Sequence, residues 1–103
     1  MKKTIFYIGL NDKDTKSQKI STLEAADIVS RLVLGVGYPG ATISESVGIY
    51  THEDGAIVKE SSLRVEILDS VPAKDEKLAQ DFKKILNQES ILKESQDVQY
   101  DFI

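Results

Sequence analysis

Residues 42–68, TISESVGIYTHEDGAIVKESSLRVEIL, predict a long β-hairpin, the element around which the other predicted elements are arranged. Apolar residues fall mainly at odd-numbered positions in both halves, from Ile43 to Ile49 and from Ile57 to Ile67, which is typical of strands with one buried face. Between the halves, Asp54-Gly55 supplies a residue that readily adopts the positive φ of tight hairpin turns. Two long antiparallel strands joined by a turn are therefore expected.

The residues before this hairpin predict one strand, one loop and one helix. Thr4 to Leu10 is rich in β-branched and aromatic residues, which favours a largely buried strand, and the polar segment Asn11 to Lys19 is expected to be an exposed loop. Ser21-Thr22-Leu23-Glu24 has the capping-box spacing of a helix start, and apolar residues follow it at helical spacing. The segment Gly35 to Gly40 ends the helix because its three glycines and one proline do not sustain one.

The residues after the hairpin predict a second helix and a last strand. Pro72 lies early in the helix, where its missing N–H does no harm, and an apolar stripe extends from Leu78 to Leu86. The polar residues Asn87-Gln88-Glu89-Ser90 end that helix, either as capping groups or as part of a recognition surface. Ile91 to Lys93 and Val98 to Ile103 are strand-like, and the second of these alternates apolar with polar residues.

The resulting order, β-α-β-β-α-β, predicts a ferredoxin-like α+β fold: a four-stranded antiparallel sheet with two helices on one face. Right-handed crossovers place the first and third strands in the centre of the sheet. A chain of 103 residues is long enough for one modest hydrophobic core, so residues 1–103 are expected to form a single domain.

Composition narrows the classes of function. The chain has no cysteine, which excludes disulfides, thiolate nucleophiles and cysteine-containing metal sites. Its net charge is −4, and a net acidic domain is a poor candidate for direct nucleic-acid binding, whereas a basic protein partner is electrostatically easier. The apolar run from Ile5 to Leu10 is too short for a signal peptide or a membrane span, so a cytoplasmic protein without membrane contact is expected.

No motif indicates a catalytic, cofactor-binding or metal-binding site. His52 is the only histidine and is interpreted as an exposed turn residue, because no further ligands stand at metal-binding spacing. The glycine-rich segment from Gly35 to Gly40 follows a helix and lacks the Lys-Ser/Thr ending of a phosphate loop. Ser61-Ser62 has no Gly-x-Ser-x-Gly context.

The acidic residues of the hairpin are the candidate partner-binding set. They are expected either to form a solvated face or to imitate a nucleic-acid charge pattern that occupies a basic channel of a partner. The set comprises Glu45, Glu53, Asp54, Glu60 and Glu66.

Three stretches carry a family resemblance: TIFYIGLND at 4–12, GATISE at 40–45 with YTHEDG at 50–55, and LNQESI at 86–91. Together they resemble small acidic proteins of plasmids and conjugative elements of Gram-positive bacteria, a group that includes an anti-CRISPR inhibitor of the type II RNA-guided nuclease. The resemblance implies an inhibitor without enzymatic activity that binds the type II CRISPR effector nuclease and blocks a step such as guide-RNA loading. Such a nuclease holds nucleic acid in a positively charged channel, which an acidic hairpin would complement.

A second resemblance is to an uncharacterised, typically exported bacterial family with a Gly…Glu-x-Ser…Gln-Glu-Ser pattern, although this chain shows no export signal. The matching residues here are Gly55, Glu60, Ser62, Gln88, Glu89 and Ser90.

Two further functions are alternatives to a nuclease inhibitor. One is a regulatory or accessory module of a mobile element that forms a homodimer through its sheet face or an edge strand. The other is a small enzyme with a pocket roofed by the sheet face and lined by His52 or Glu60, which ranks last because no converging polar groups are evident in the sequence.

Overall fold

The computed structural model describes residues 1–51 and 53–103 and contains four strands and two helices in the expected order. The elements are β1 (Lys2–Gly9), α1 (Thr22–Gly35), β2 (Thr42–Thr51), β3 (Ile57–Leu68), α2 (Pro72–Ile85) and β4 (Leu92–Asp97). His52, which the sequence places in the turn, lies outside the described residues.

The four strands form one antiparallel sheet in the order β2-β3-β1-β4, which confirms the predicted α+β fold with the first and third strands in the centre. In the centre of the sheet, Phe6 of β1 lies opposite Val65 of β3, and both side chains are fully buried. Phe82 of α2 packs edge-on against Phe6 with ring centroids 5.4 Å apart. The apolar stripes of the helices are thus buried against one face of the sheet.

Local signals in the sequence account for the helix ends. The Ser21 hydroxyl accepts a hydrogen bond from Glu24 N (3.1 Å), as the capping-box spacing predicts. Pro72 is the first residue of α2, where no N–H is needed. After α1, Gly37 has φ +99°, which a residue with a Cβ rarely adopts, and the chain turns toward β2.

The prediction of a strand over Val98–Ile103 is wrong, because the last strand is Leu92–Asp97. Strand β4 ends where its partner ends: Asp97 lies opposite Lys2, and Val98 N donates the last bond to the carbonyl of Met1 (2.9 Å). Residues 98–103 alternate in the same way but lie past the paired stretch of β1, so alternation alone does not make a strand.

A buried polar network joins β1 to α2. Asp75 is 3% exposed, and its carboxylate accepts hydrogen bonds from the hydroxyls of Tyr38 (2.6 Å) and Thr4 (2.7 Å). The Tyr38 oxygen in turn accepts from Val71 N (2.8 Å). The network provides the buried carboxylate with donors, as a buried charge requires.

Within the described residues, neither helix is both long and apolar enough to cross a membrane.

Candidate functional site: an acidic cleft beside the hairpin

An open cleft of about 860 Å³ lies where three segments meet: the loop after β1, the β2-β3 hairpin and the junction between α2 and β4. Its floor includes Tyr7 and Gly9 of β1 and Leu92 of β4, which belong to the sheet face not covered by helices. Clefts of about 300–1,000 Å³ are the size range of small-molecule sites.

The carboxylate of Glu60 is fixed inside this cleft by β1 and the loop after it. Asn11 N donates to Glu60 Oε2 at 2.9 Å. The carboxylate lies directly over Gly9: a Cβ at that position would stand 2.6 Å from Glu60 Oε1 and 2.7 Å from Oε2. The lack of a side chain at Gly9 therefore makes room for the acid.

The junction between α2 and β4 is held against the same loop. Gln88 is 8% exposed, and its side-chain amide donates to the carbonyl oxygens of Asn11 (2.8 Å) and Leu86 (3.2 Å). The second of these bonds satisfies a carbonyl at the helix end, as expected for a capping group. Because Gln88 is anchored in this way, the exposed residues Glu89 and Ser90 line the cleft.

The loop after β1 is a tight turn built on Asp12. Its Oδ1 accepts from the N–H groups of Asp14 and Thr15 (both 2.9 Å), and its Oδ2 accepts from the side-chain amide of Asn87 (2.8 Å). The Asn87 hydrogen bond first, and then those backbone N–H groups, hold the pKa of Asp12 well below its usual range. Lys13 and Lys16 of the same loop also line the cleft.

The acidic hairpin residues named from the sequence lie in three different places. Glu53, Asp54 and Glu60 line the cleft. Glu45 lies opposite Leu63, whose side chain is in the core, so Glu45 projects to the helix side of the sheet and lines a separate small cavity. They therefore do not form one continuous surface.

The negative charge of Glu66 is balanced by two cationic side chains of the sheet. It forms ion pairs with Lys3 (3.3 Å) and Arg64. Burial tends to raise the pKa of Glu66, but the hydrogen bonds from Lys3 and Arg64 outweigh it and lower that pKa.

The sequence interpretation missed the convergence of polar groups in the cleft. The polar composition of Asn11 to Lys19 predicts only an exposed loop, but an aspartate followed by polar residues is also a signal for the side-chain-to-backbone turn observed at Asp12. Glu60, Gln88 and Glu89 are far apart in the chain, and no local pattern shows that they meet. Among residues 1–51 and 53–103, no three His, Cys, Asp or Glu side chains are grouped so that they would hold a metal ion.

The comparisons with known proteins give a family and a fold. The model of DUF3574, a family described as proteins of unknown function, matches residues 3–102. No curated protein matches the chain by sequence. Among solved structures, a phage SAM lyase in complex with S-methyl-5'-thioadenosine is 22% identical, has a TM-score of 0.72, and the match covers 93% of this chain and 80% of the other.

CutA1 from Pyrococcus horikoshii has the same fold: it is 17% identical with a TM-score of 0.59, over 96% of this chain and 86% of the other. A DUF3240 protein from Shewanella baltica is 7% identical with a TM-score of 0.55, over 99% and 94%. At these identities the likeness concerns the fold alone.

The expectation of a protein without enzymatic activity is contradicted by the solved structures that share this fold, because they include an enzyme, the phage SAM lyase. The physical reason given for that expectation, a lack of converging polar groups, also fails at the cleft. Inhibition of an RNA-guided nuclease is not tested by these comparisons and stays a prediction.

Proposed function

The chain belongs to the DUF3574 family of proteins of unknown function, and we propose that it is an enzyme whose cleft binds S-adenosylmethionine and cleaves it to S-methyl-5'-thioadenosine. The observation that carries the proposal is the fixed carboxylate of Glu60 inside a cleft of small-molecule size. The likeness in fold to a SAM lyase supports the choice of ligand.

The lining of the cleft suits a sulfonium cation. A sulfonium carries a permanent positive charge and no N–H or O–H, so its favourable partners are carboxylates and the faces of aromatic rings. Glu53, Asp54, Glu60 and Glu89 supply negative charge to the cleft. Tyrosine rings from β1 and the hairpin also line it, and a purine base stacks favourably on such rings.

In the proposed reaction the bond between the sulfur and the γ-carbon of the amino-acid part breaks, and its electron pair neutralises the sulfonium. An oxygen of the ligand's own carboxylate forms the new bond to this γ-carbon and closes a lactone. Atoms and charges therefore balance without water or a further reagent. Because the positive charge on sulfur decreases on the way to the transition state and is gone in the product, the acidic side chains contribute more to binding than to the rate of the chemical step. Their loss is therefore expected to raise KM more than it lowers kcat.

Incubation of the purified protein with S-adenosylmethionine, followed by chromatography and mass spectrometry, tests the proposal by the appearance of S-methyl-5'-thioadenosine. The variant Glu60→Gln is expected to raise KM by about tenfold, since a charged contact contributes about 1.5 kcal/mol. Glu45→Gln is the matched control, because it removes the same charge from the same hairpin on the other face of the sheet.

A wild-type protein that is folded by circular dichroism, but neither binds S-adenosylmethionine nor releases product faster than buffer alone, would overturn the proposal. Equal effects of Glu60→Gln and Glu45→Gln would show that the reaction does not take place in this cleft.

A further inference from the structure

Two lysines line the otherwise acidic cleft, Lys13 and Lys16. Their backbone is held in place from several sides: Lys13 N donates to the Asn87 carbonyl (3.0 Å) and Lys16 N to the Asp12 carbonyl (2.8 Å). Lys16 has φ +62°, a conformation that a lysine adopts uncommonly. The backbone from which both exposed side chains project is therefore held in place.

The carboxylates nearest to these lysines in sequence, those of Asp12 and Asp14, already accept hydrogen bonds from another side chain. The side-chain amide of Asn87 donates to Asp12 Oδ2 (2.8 Å) and to Asp14 Oδ2 (2.9 Å). Within residues 1–51 and 53–103, neither Lys13 nor Lys16 forms an ion pair. Their ammonium groups are thus available to a ligand.

We infer that Lys13 and Lys16 bind the carboxylate of the ligand, so that the cleft selects a ligand with both a sulfonium cation and an amino-acid carboxylate. The inference rests on the proposed function, because S-adenosylmethionine has both groups, whereas S-methyl-5'-thioadenosine has neither. The two poles come from different segments: the positive pole is the loop after β1, and the negative pole is the hairpin with the α2-β4 junction.

A phosphate would also attract two lysines, but the structure favours a carboxylate. The same cleft contains Glu53, Asp54, Glu60 and Glu89, and a doubly charged phosphate would be repelled by them more strongly than a singly charged carboxylate. In the proposed reaction this carboxylate is the attacking group, and its negative charge decreases as the lactone forms. The lysines therefore stabilise the bound ligand more than the transition state, so they contribute to specificity and binding and not to the rate of bond breaking.

Isothermal titration with S-adenosylmethionine, its decarboxylated analogue and S-methyl-5'-thioadenosine separates the two ends of the ligand. The double variant Lys13→Gln/Lys16→Gln is expected to weaken S-adenosylmethionine about 10- to 30-fold and to leave S-methyl-5'-thioadenosine within about twofold, because only the former has a carboxylate. In turnover, KM rises by the same factor and kcat does not fall. The control is Lys59→Gln/Lys93→Gln, which makes the same change in net charge at exposed positions that do not line the cleft.

The decarboxylated analogue completes a double-mutant cycle. The wild type is expected to bind it about as weakly as the lysine variant binds S-adenosylmethionine, and the variant is expected to show no additional loss. Inorganic phosphate and adenosine monophosphate are the competing anions, and stronger binding of either than of S-adenosylmethionine would overturn the assignment to a carboxylate.

The outcomes distinguish this inference from the proposed function. If the variant binds S-adenosylmethionine as the wild type does, the lysines do not hold the carboxylate, although the cleft remains the binding site. If the variant loses both nucleosides equally while circular dichroism shows an unchanged fold, the lysines act elsewhere in the cleft and the inference is wrong. If the wild type binds neither nucleoside, the proposed function fails, and the inference fails with it.

Discussion

Substitution of Gly9 by alanine tests the geometry of the cleft most directly, because it adds one methyl group beneath the Glu60 carboxylate. That methyl would stand 2.6 Å from Oε1, so the carboxylate has to retreat by about 1 Å to reach an ordinary van der Waals distance. The movement breaks the 2.9 Å hydrogen bond from Asn11 N. Glu60 ends in a flexible side chain, so the clash is relieved without movement of the backbone.

The expected cost in stability is small. Loss of a hydrogen bond to a charged group costs about 1.5–3 kcal/mol, and replacing glycine by alanine at a negative φ returns roughly 0.5–1 kcal/mol. A net loss of about 0.5–2.5 kcal/mol in the free energy of unfolding follows, measurable by urea denaturation. The Kd for S-adenosylmethionine is expected to rise by about tenfold, because the carboxylate no longer faces this ligand from its fixed position.

The variant Gly35→Ala is the matched control, because nothing lies within 4 Å of the Cβ it would add. It should leave binding unchanged. Since Gly9→Ala acts through Glu60, the double variant Gly9→Ala/Glu60→Gln should bind no more weakly than Glu60→Gln alone. Additive losses in the double variant, or unchanged binding in Gly9→Ala, would refute the reasoning that Gly9 exists to make room for this acid.

Two further predictions concern the surroundings of the cleft and the core. Tyr38→Phe removes a donor from buried Asp75 and an acceptor from Val71 N, and it should lower the free energy of unfolding by about 2–4 kcal/mol in urea titrations. Burial first, and then the Asp75 hydrogen bond, raise the pKa of Tyr38 to about 12. The stabilisation of the folded state by the Tyr38 hydroxyl is therefore fully present below pH 10 and is lost between pH 10 and 12. The phenylalanine variant should lack this alkaline loss of stability, and an identical pH profile of the two proteins would contradict the assignment. Asn87→Ala removes a hydrogen bond to Asp12, so it should raise the pKa of Asp12 toward its ordinary value and speed hydrogen exchange in the loop after β1. Both effects are measurable by NMR. An unchanged titration of Asp12 would show that Asn87 does not lower the pKa of that carboxyl.

The fold was predictable from the sequence because its signals are local. Alternation over 42–68, the cap at Ser21 and the proline at 72 each specify an element or its end within a few residues. The rule of right-handed crossovers then leaves few strand orders. The last strand was missed because β4 is polar and exposed along its whole length, so it carries no amphipathic signal, while the apolar alternation over 98–103 lies beyond the end of its partner strand.

The cleft was not predictable in the same way, because its contacts join residues that are far apart in the chain. Asn11 and Glu60 are 49 positions apart, and Asn11 and Gln88 are 77 apart. Their meeting depends on strand register: Gly9 lies opposite Ser62, which places the Glu60 carboxylate over the end of β1. The alternation of the hairpin predicts that Glu60 lies on the face opposite the core, but a register shift of two residues would preserve that face and move Glu60 away from Gly9, and the hairpin pattern alone does not exclude such a shift against β1.

The contrast between two glutamates of the same strand argues that the cleft is adapted to a ligand. Both Glu60 and Glu66 are partly buried on the uncovered face of β3. Glu66 has the partners expected of a structural carboxylate, the cations of Lys3 and Arg64. Glu60 receives one backbone hydrogen bond and, within the described residues, no cation, although it stands in a cleft with other acids. Lys13 and Lys16 line the same cleft but, within the described residues, form no ion pair with Glu60. A partly buried carboxylate without a direct counter-charge is unfavourable for folding, and on the proposed function the sulfonium of the ligand supplies that charge.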